Sequence, residues 1–168
     1  MPVLLPTKMT RAGFSNKWRG RLILYAPLIL WIGVIFFLSS SFASLPGTSR
    51  FIRPILVFLF PDASAETLLL YHGYIRKFAH FAEYAILAFF AARAFYNSYV
   101  DALRKFWFAA SMILVLFIAS GDEIIQAYIP ARTGSAWDVL IDLAGGFAML
   151  AFLVFFRQHW PQKRFFAV

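Results

Sequence analysis

Cysteine is absent from this chain of 168 residues, and charged residues make up only 14% of it. The missing cysteine excludes disulfide bonds, thiolate metal sites and cysteine nucleophiles. The scarcity of charge argues against a water-soluble domain, because 61% of the residues are hydrophobic and few polar residues remain to cover a surface. The mean hydropathy is +0.70 and apolar stretches of bilayer-spanning length recur, which indicates a polytopic membrane protein.

Four apolar stretches predict the spans of an all-α, polytopic transmembrane helical bundle. They cover about residues 22–38, 76–96, 106–126 and 138–156. No repeat or long linker divides them, so we predict one transmembrane domain over residues 22–168, behind a basic tail of residues 1–21. Residues 51–60 are too short to cross a bilayer and include Arg53 and Pro54. They predict a short interfacial or re-entrant segment after span one.

The basic residues predict how the chain is oriented. Of its 16 Lys and Arg residues, 11 lie in the N-terminal tail, the loop after span two and the C-terminal tail. The positive-inside rule therefore predicts a multi-pass protein with both termini in the cytoplasm. The net charge of +8 then reflects topology and contact with anionic lipids, and nucleic acid is not an expected partner.

Ionisable residues of spans two to four gather toward their predicted extracytoplasmic ends. Lys77, His80 and either Glu83 or Tyr84 recur at helical spacing and share one face of span two. The other residues of this group are Asp122, Glu123 and Gln126 in span three, Arg132 in the following loop, and Asp138 and Asp142 in span four. Together these positions predict an outward-facing polar cleft between three helices.

A purely structural network is the alternative. Lys77 and Arg132 could pair with the acids, and Asp138 could cap span four. However, one ionised side chain at the bilayer centre costs about 2.5–3.5 kcal/mol, so a cluster of this size is expensive for packing alone. The cost favours a functional site. His72 and His159 lie apart from this group and are predicted to be solvated surface residues.

Two segments carry a family resemblance: "RKFAHFAEYAILAFFAARAF" and "GDEIIQAYIPARTGSAWDVLIDLAGG". They resemble the VanZ-like membrane protein family in a Lys-x-x-His-Phe-x-x-Tyr-like element ("KFAHFAEY"), an Asp-Glu-x-x-Gln element and a loop arginine. Asp138, Asp142 and Gly145 complete the pattern, although the family often has Asn where this chain has Asp142. The resemblance implies a small protein of the bacterial inner membrane. The family's namesake is associated with low-level teicoplanin resistance, and no established reaction is implied.

Two functions fit these residues. In the first, the cleft binds an envelope lipid intermediate or another amphiphile, with Lys77 and Arg132 meeting its phosphates or carboxylates. The remaining predicted binding residues are Asp122, Gln126, Asp138 and Asp142. In the second, the protein is a hydrolase or transferase acting on a lipid-linked phosphate or glycosyl group. His80 would then be the general acid or base, oriented by Glu83 or Glu123, but no motif fixes a nucleophile.

Other possibilities stay open alongside these two. A structural or partner-binding subunit is a further alternative, and proton-coupled transport would require an oligomer. The expected partners are membrane lipids and a lipid-linked envelope precursor. No cofactor is expected, with a divalent cation at His80 and Glu83 as the alternative. Oxygen ligands would favour Mg²⁺, Mn²⁺ or Ca²⁺, and zinc is disfavoured because only one intramembrane histidine is present.

Overall fold

The computed structural model describes residues 11–39, 45–128 and 135–159. These residues form helices and contain no strand. The helices are α1 (Arg11–Ser39), α2 (Leu45–Leu59), α3 (Ala65–Tyr96), α4 (Asp101–Lys105), α5 (Trp107–Ala127) and α6 (Ala136–His159). Four of them, α1, α3, α5 and α6, contain segments long and apolar enough to cross a membrane. The prediction of an all-α bundle with about four spans is therefore confirmed.

The helix α3 begins earlier than the predicted second span. The side chain of Ser64 accepts a hydrogen bond from the backbone N–H of Thr67 at 3.2 Å, which satisfies a donor that the first turn leaves unpaired. From there α3 continues for 32 residues, or about 48 Å. This length exceeds the roughly 30 Å hydrocarbon core of a bilayer, so α3 has turns to spare at its ends.

The central helix of the bundle is α3, which packs against α1, α2, α5 and α6. Its buried face is lined with small residues, including Ala88, Ala91 and Ala92, which let the neighbouring helices approach closely. Large apolar side chains such as Phe117 and Leu30 point outward instead and are exposed. This distribution is the one that a lipid-facing surface requires, because a bilayer solvates apolar side chains.

Side-chain contacts fix the direction of each span. The Tyr25 hydroxyl lies 2.8 Å from Ser98 Oγ, and Trp31 Nε1 donates to the Glu83 carbonyl at 3.0 Å, so α1 runs antiparallel to α3. His80 faces Asp142, and Arg157 near the end of α6 lies over the ring of Tyr96 at the end of α3, so α6 runs parallel to α3. The end of α1, all of α2, the start of α3, the end of α5 and the start of α6 therefore lie at one end of the bundle. We call it the α2 end.

Two adjacent glycines let α6 approach its neighbours. A Cβ atom built on Gly145 would lie 2.1 Å from the backbone carbonyl oxygen of Phe81 in α3. One built on Gly146 would lie 2.9 Å from Val115 Cγ1 in α5. Only glycine allows α6 to sit this close to the α3 backbone, and Gly145 lies one turn after Asp142.

The short helix α2 coincides with the segment predicted to be interfacial or re-entrant. Its 15 residues span about 22 Å, which is too short to cross the hydrocarbon core. Leu56 is buried against the bundle, whereas Phe51, Phe58 and the basic Arg53 are exposed. A helix that presents both basic and large apolar side chains suits the interface between headgroups and acyl chains.

Candidate functional site

A histidine and an aspartate face each other between α3 and α6. His80 Nδ1 lies 3.4 Å from Asp142 Oδ1. The His80 side chain is 18% exposed, while Asp142 is completely buried. Close packing at Gly145 brings the two helices together at this level. Tyr84, one turn after His80, is also fully buried and lies close to the carboxylate of Asp122 in α5.

The end of α5 adds two carboxylates and an amide to this region. Asp122, Glu123 and Gln126 are all buried. Gln126 Nε2 donates to Asp122 Oδ2 at 2.8 Å, as the i, i+4 spacing allows. We call His80, Tyr84, Asp122, Glu123, Gln126 and Asp142 the buried polar site. It draws on three spans and lies toward the α2 end of the bundle.

Ser135 joins the start of α6 to the buried polar site. Its backbone N–H donates to Glu123 Oε2 at 2.6 Å. Its side-chain oxygen accepts from the backbone N–H of Trp137 at 3.2 Å, so Ser135 supplies the cap that the sequence had suggested for Asp138. Asp138 instead lies in the first turn of α6, where a negative charge interacts favourably with the helix dipole.

Buried polar atoms in this site lack a hydrogen-bond partner among the described residues. They include His80 Nδ1, Asp122 Oδ1, Glu123 Oε1 and both carboxylate oxygens of Asp142. Leaving one buried polar group unpaired costs about 1–3 kcal/mol, and more when the group is charged. Packing alone does not explain such an arrangement, since apolar side chains of similar volume would avoid the cost.

Three of these residues could act together as ligands. His80, Glu123 and Asp142 each offer one ligand atom, and the three atoms lie within 4.8 Å of one another. Alternatively, an imidazole beside a carboxylate can transfer protons, because the carboxylate orients the ring and stabilises its protonated form. The site is therefore chemically able to bind a cation or to perform acid–base catalysis.

The remaining predicted site residues lie around this centre. Glu83 is half-buried and close enough to His80 to interact electrostatically with it, and Asp138 is half-buried near Glu123 and Asp142. Lys77 is exposed and makes no ion pair with any described residue. Arg132 lies outside the described residues. Tyr84 was predicted to share the polar face of span two with His80, although no role was predicted for it. Ser135 was not predicted, and no sequence signal marks it.

A second polar region lies between α2 and α3. A cavity of about 240 Å³ is lined by the polar Ser49, Arg53 and His72 and by the apolar Leu56, Ala65, Leu68 and Leu69. His72 is buried here, and its Nδ1 lies 3.3 Å from Ser49 Oγ. The prediction that His72 is a solvated surface residue was wrong, because α2 folds over the start of α3 and covers it. His159 has no described side chain.

The fold and this site together define a small polytopic membrane protein with ionisable groups buried between its spans. The VanZ/LLP1 family model matches residues 23–157, which is most of the chain. The chain belongs to this family, and the resemblance seen in its sequence is confirmed. No curated protein and no solved structure matches the chain.

Proposed function

We propose that this VanZ-like protein binds an amphiphile with an anionic headgroup, such as a lipid-linked envelope intermediate, at the α2 end of the bundle. The observation that carries the proposal is the cavity between α2 and α3, where Arg53, Ser49 and His72 lie beside leucine side chains. Arginine suits a phosphate because its planar guanidinium group can donate two parallel hydrogen bonds. The neighbouring apolar wall suits the start of an acyl or polyprenyl chain.

The α2–α3 cavity lies near the buried polar site. His72 and His80 are eight residues apart on α3, which is about 12 Å along the helix axis. An amphiphile with an extended polar headgroup could therefore contact Arg53 at one end and the buried polar site at the other. Such a role would be part of cell-envelope homeostasis. The teicoplanin resistance associated with the family's namesake also concerns the cell envelope.

The proposal includes an orientation in the bacterial inner membrane, with the α2 end outside the cytoplasm. The positive-inside rule supports it, because 11 of the 16 basic residues lie in segments assigned to the other side. The cysteine-free chain allows a direct test with single cysteines at Tyr128→Cys, at the end of α5, and Asp101→Cys, in α4. In spheroplasts, a membrane-impermeant maleimide should label only the former until the cells are permeabilised. The reverse pattern would invert the assignment.

Lipid recognition is testable by native mass spectrometry of the protein purified in mild detergent, with an added polyprenyl phosphate as the probe. The wild type should retain the probe in preference to phosphatidylglycerol. We expect Arg53→Ala to weaken retention about tenfold or more, because a hydrogen bond to a charged group contributes about 1.5–3 kcal/mol. Arg132→Ala tests the loop arginine in the same way.

Arg104→Ala is the matched control, because Arg104 is exposed, lies in α4 at the opposite end and pairs with Asp101. It should retain the probe as the wild type does. Equal retention by all four proteins, or retention of bulk lipid only, would contradict lipid recognition at the α2 end. A structural or partner-binding role would then be favoured.

A second candidate function is hydrolysis or group transfer on a lipid-linked phosphate or glycosyl group. The pairing of His80 with Asp142 favours it, since this arrangement suits a general acid or base. The same mass spectra separate the two functions when a polyprenyl diphosphate replaces the probe. An enzyme would shorten the probe by a phosphate or transfer a group to or from it, and His80→Gln would stop that change while retaining the lipid. A binding protein would leave the mass of the probe unchanged.

A further inference from the structure

We infer that His80, Glu123 and Asp142 bind a divalent transition-metal cation, with Mn²⁺ as the best match to their ligand atoms. Each of α3, α5 and α6 contributes one ligand, so the cation would join three of the four spans. This inference goes beyond lipid binding and does not rest on it, because the groups involved differ from those that line the α2–α3 cavity.

The distances between the three groups are close to those of a metal site. One ligand atom from each lies within 4.8 Å of the other two. Two nitrogen or oxygen ligands on a metal at about 2.0–2.2 Å stand roughly 3–4.4 Å apart, depending on the angle between them. A separation at the 4.8 Å limit would therefore need to shrink by roughly 0.4–1.8 Å, which side-chain torsions can supply.

Buried oxygens without hydrogen-bond partners among the described residues favour a cation at the same place. Asp142 is 0% exposed, and neither of its carboxylate oxygens has a hydrogen-bond partner among the described residues. His80 Nδ1, 3.4 Å away, also lacks one, because the separation is too long for a good hydrogen bond. A cation bound between these atoms would satisfy both groups.

The neighbouring residues hold the ligands in place. The backbone N–H of Ser135 donates to Glu123 Oε2 and leaves Glu123 Oε1 free for a cation. Gln126 donates to one oxygen of Asp122, a further buried carboxylate close enough to the three ligands to interact with them electrostatically. Hydrogen bonds of this kind orient metal ligands, and their loss typically lowers metal affinity about 10–100-fold.

The balance of charge also favours a cation. Asp122, Glu123 and Asp142 are buried together, and no described lysine or arginine makes an ion pair with any of them. Lys77, which the sequence spacing places on the same helix face as His80, is exposed. Buried charges require a partner or a metal, and a divalent cation would offset two of the negative charges.

The donor set selects the type of metal. The two carboxylates are ligands that suit Mn²⁺, and the imidazole is a ligand that suits Zn²⁺ and Fe²⁺. Ca²⁺ prefers six to eight oxygen ligands, and Mg²⁺ usually retains several waters in octahedral geometry. Metals that thiolate ligands select, zinc among them, are disfavoured because the chain has no cysteine. Three protein ligands would leave coordination positions open for water or for a ligand oxygen.

The test is metal binding by the full-length protein in mild detergent after treatment with a chelator. Titration with Mn²⁺ alone, followed by elemental analysis after desalting, should give a single equivalent of bound metal. His80→Gln, Glu123→Gln and Asp142→Leu should each lower the affinity at least about tenfold. Asp101→Asn is the matched control, because Asp101 is an exposed aspartate outside the site, and it should bind metal as the wild type does.

A spectroscopic readout covers the case in which a variant fails to fold. Electron paramagnetic resonance of the Mn²⁺-loaded wild type should show coupling to one nitrogen, from His80. Absence of bound metal in the wild type, or equal binding by the three variants, would overturn the inference and leave His80 and Asp142 as an ion pair. The lipid experiment with Arg53→Ala gives its answer independently, so the failure of one proposal is distinguishable from the failure of the other.

Discussion

Among glycine-to-alanine substitutions at the described glycines, Gly145→Ala is expected to cause the largest loss of stability. The new methyl group would lie 2.1 Å from the carbonyl oxygen of Phe81, and a backbone atom cannot rotate away as a side chain can. The helices α3 and α6 must therefore separate. Overpacking typically costs about 1–3 kcal/mol and occasionally more. We expect thermal unfolding in mild detergent, followed by tryptophan fluorescence, to shift down by roughly 5–10 °C.

Other helical glycines provide the controls. Gly33 and Gly121 have no atom within 4 Å of a built Cβ, so alanine there should leave the unfolding temperature unchanged or slightly higher, because alanine favours helix over glycine by about 0.5–1 kcal/mol. Gly146→Ala should fall between, since the flexible side chain of Val115 can give way. If the Gly145→Ala protein were as stable as the wild type, the backbone of α3 would not be in close contact with α6 at Gly145, and the prediction would be wrong.

The spans could be predicted from the sequence because hydropathy and length are local properties. The uncharged first span and the apolar cores of α3, α5 and α6 were identified in this way. The start of α3 was harder, because residues 65–75 mix polar and apolar positions and their helical state depends on Ser64 and on packing against α2. Hydropathy reports which residues avoid water, and it does not report where a helix begins beyond the bilayer.

The members of the polar site could be predicted in part, because spacing along one helix fixes which residues share a face. His80, Asp122, Glu123, Gln126 and Asp142 are brought together as the pattern suggested. Which side chains contact each other across the helices could not be predicted, since these contacts depend on the depth and rotation of one helix against another. Lys77, three residues before His80, shares its broad face and yet points outward. Asp138 and Asp142 have ideal spacing, but only Asp142 is fully buried.

The burial of His72 shows the same limit more clearly. Nothing near it in the sequence indicates that α2, joined to α3 by a short turn, covers it and places Ser49 at 3.3 Å. The packing partner comes from a different helix, and that helix crosses no membrane. The α2–α3 cavity, which carries the proposed lipid binding, is thus a product of tertiary structure and has no local motif.

Asp142→Leu is expected to make the metal-free protein more stable while abolishing metal binding. Leucine is larger than aspartate, but it branches at the same atom and needs no hydrogen bonds. The wild-type carboxylate is fully buried, and both its oxygens lack hydrogen-bond partners among the described residues. Replacing poorly satisfied buried charges with apolar groups is often neutral or stabilising by about 1–4 kcal/mol. In detergent with a chelator, we expect the unfolding temperature to rise by roughly 3–10 °C. Asp101→Leu, at an exposed position, should change stability by less than about 0.5 kcal/mol.

Adding metal should reverse the order of stability. At Mn²⁺ concentrations near 1,000 times the Kd, the wild type gains about 4.1 kcal/mol from mass action, which exceeds the gain of about 1–4 kcal/mol expected for Asp142→Leu. Asp142→Leu gains nothing from the metal because a ligand is missing. The crossing of the two unfolding curves between chelator and metal would mark Asp142 as a residue retained for binding at a cost to folding. If Asp142→Leu is instead less stable even in chelator, the carboxylate has a structural partner. Arg132 would then be the first residue to test, by repeating the measurement in an Arg132→Ala background, where the penalty should disappear.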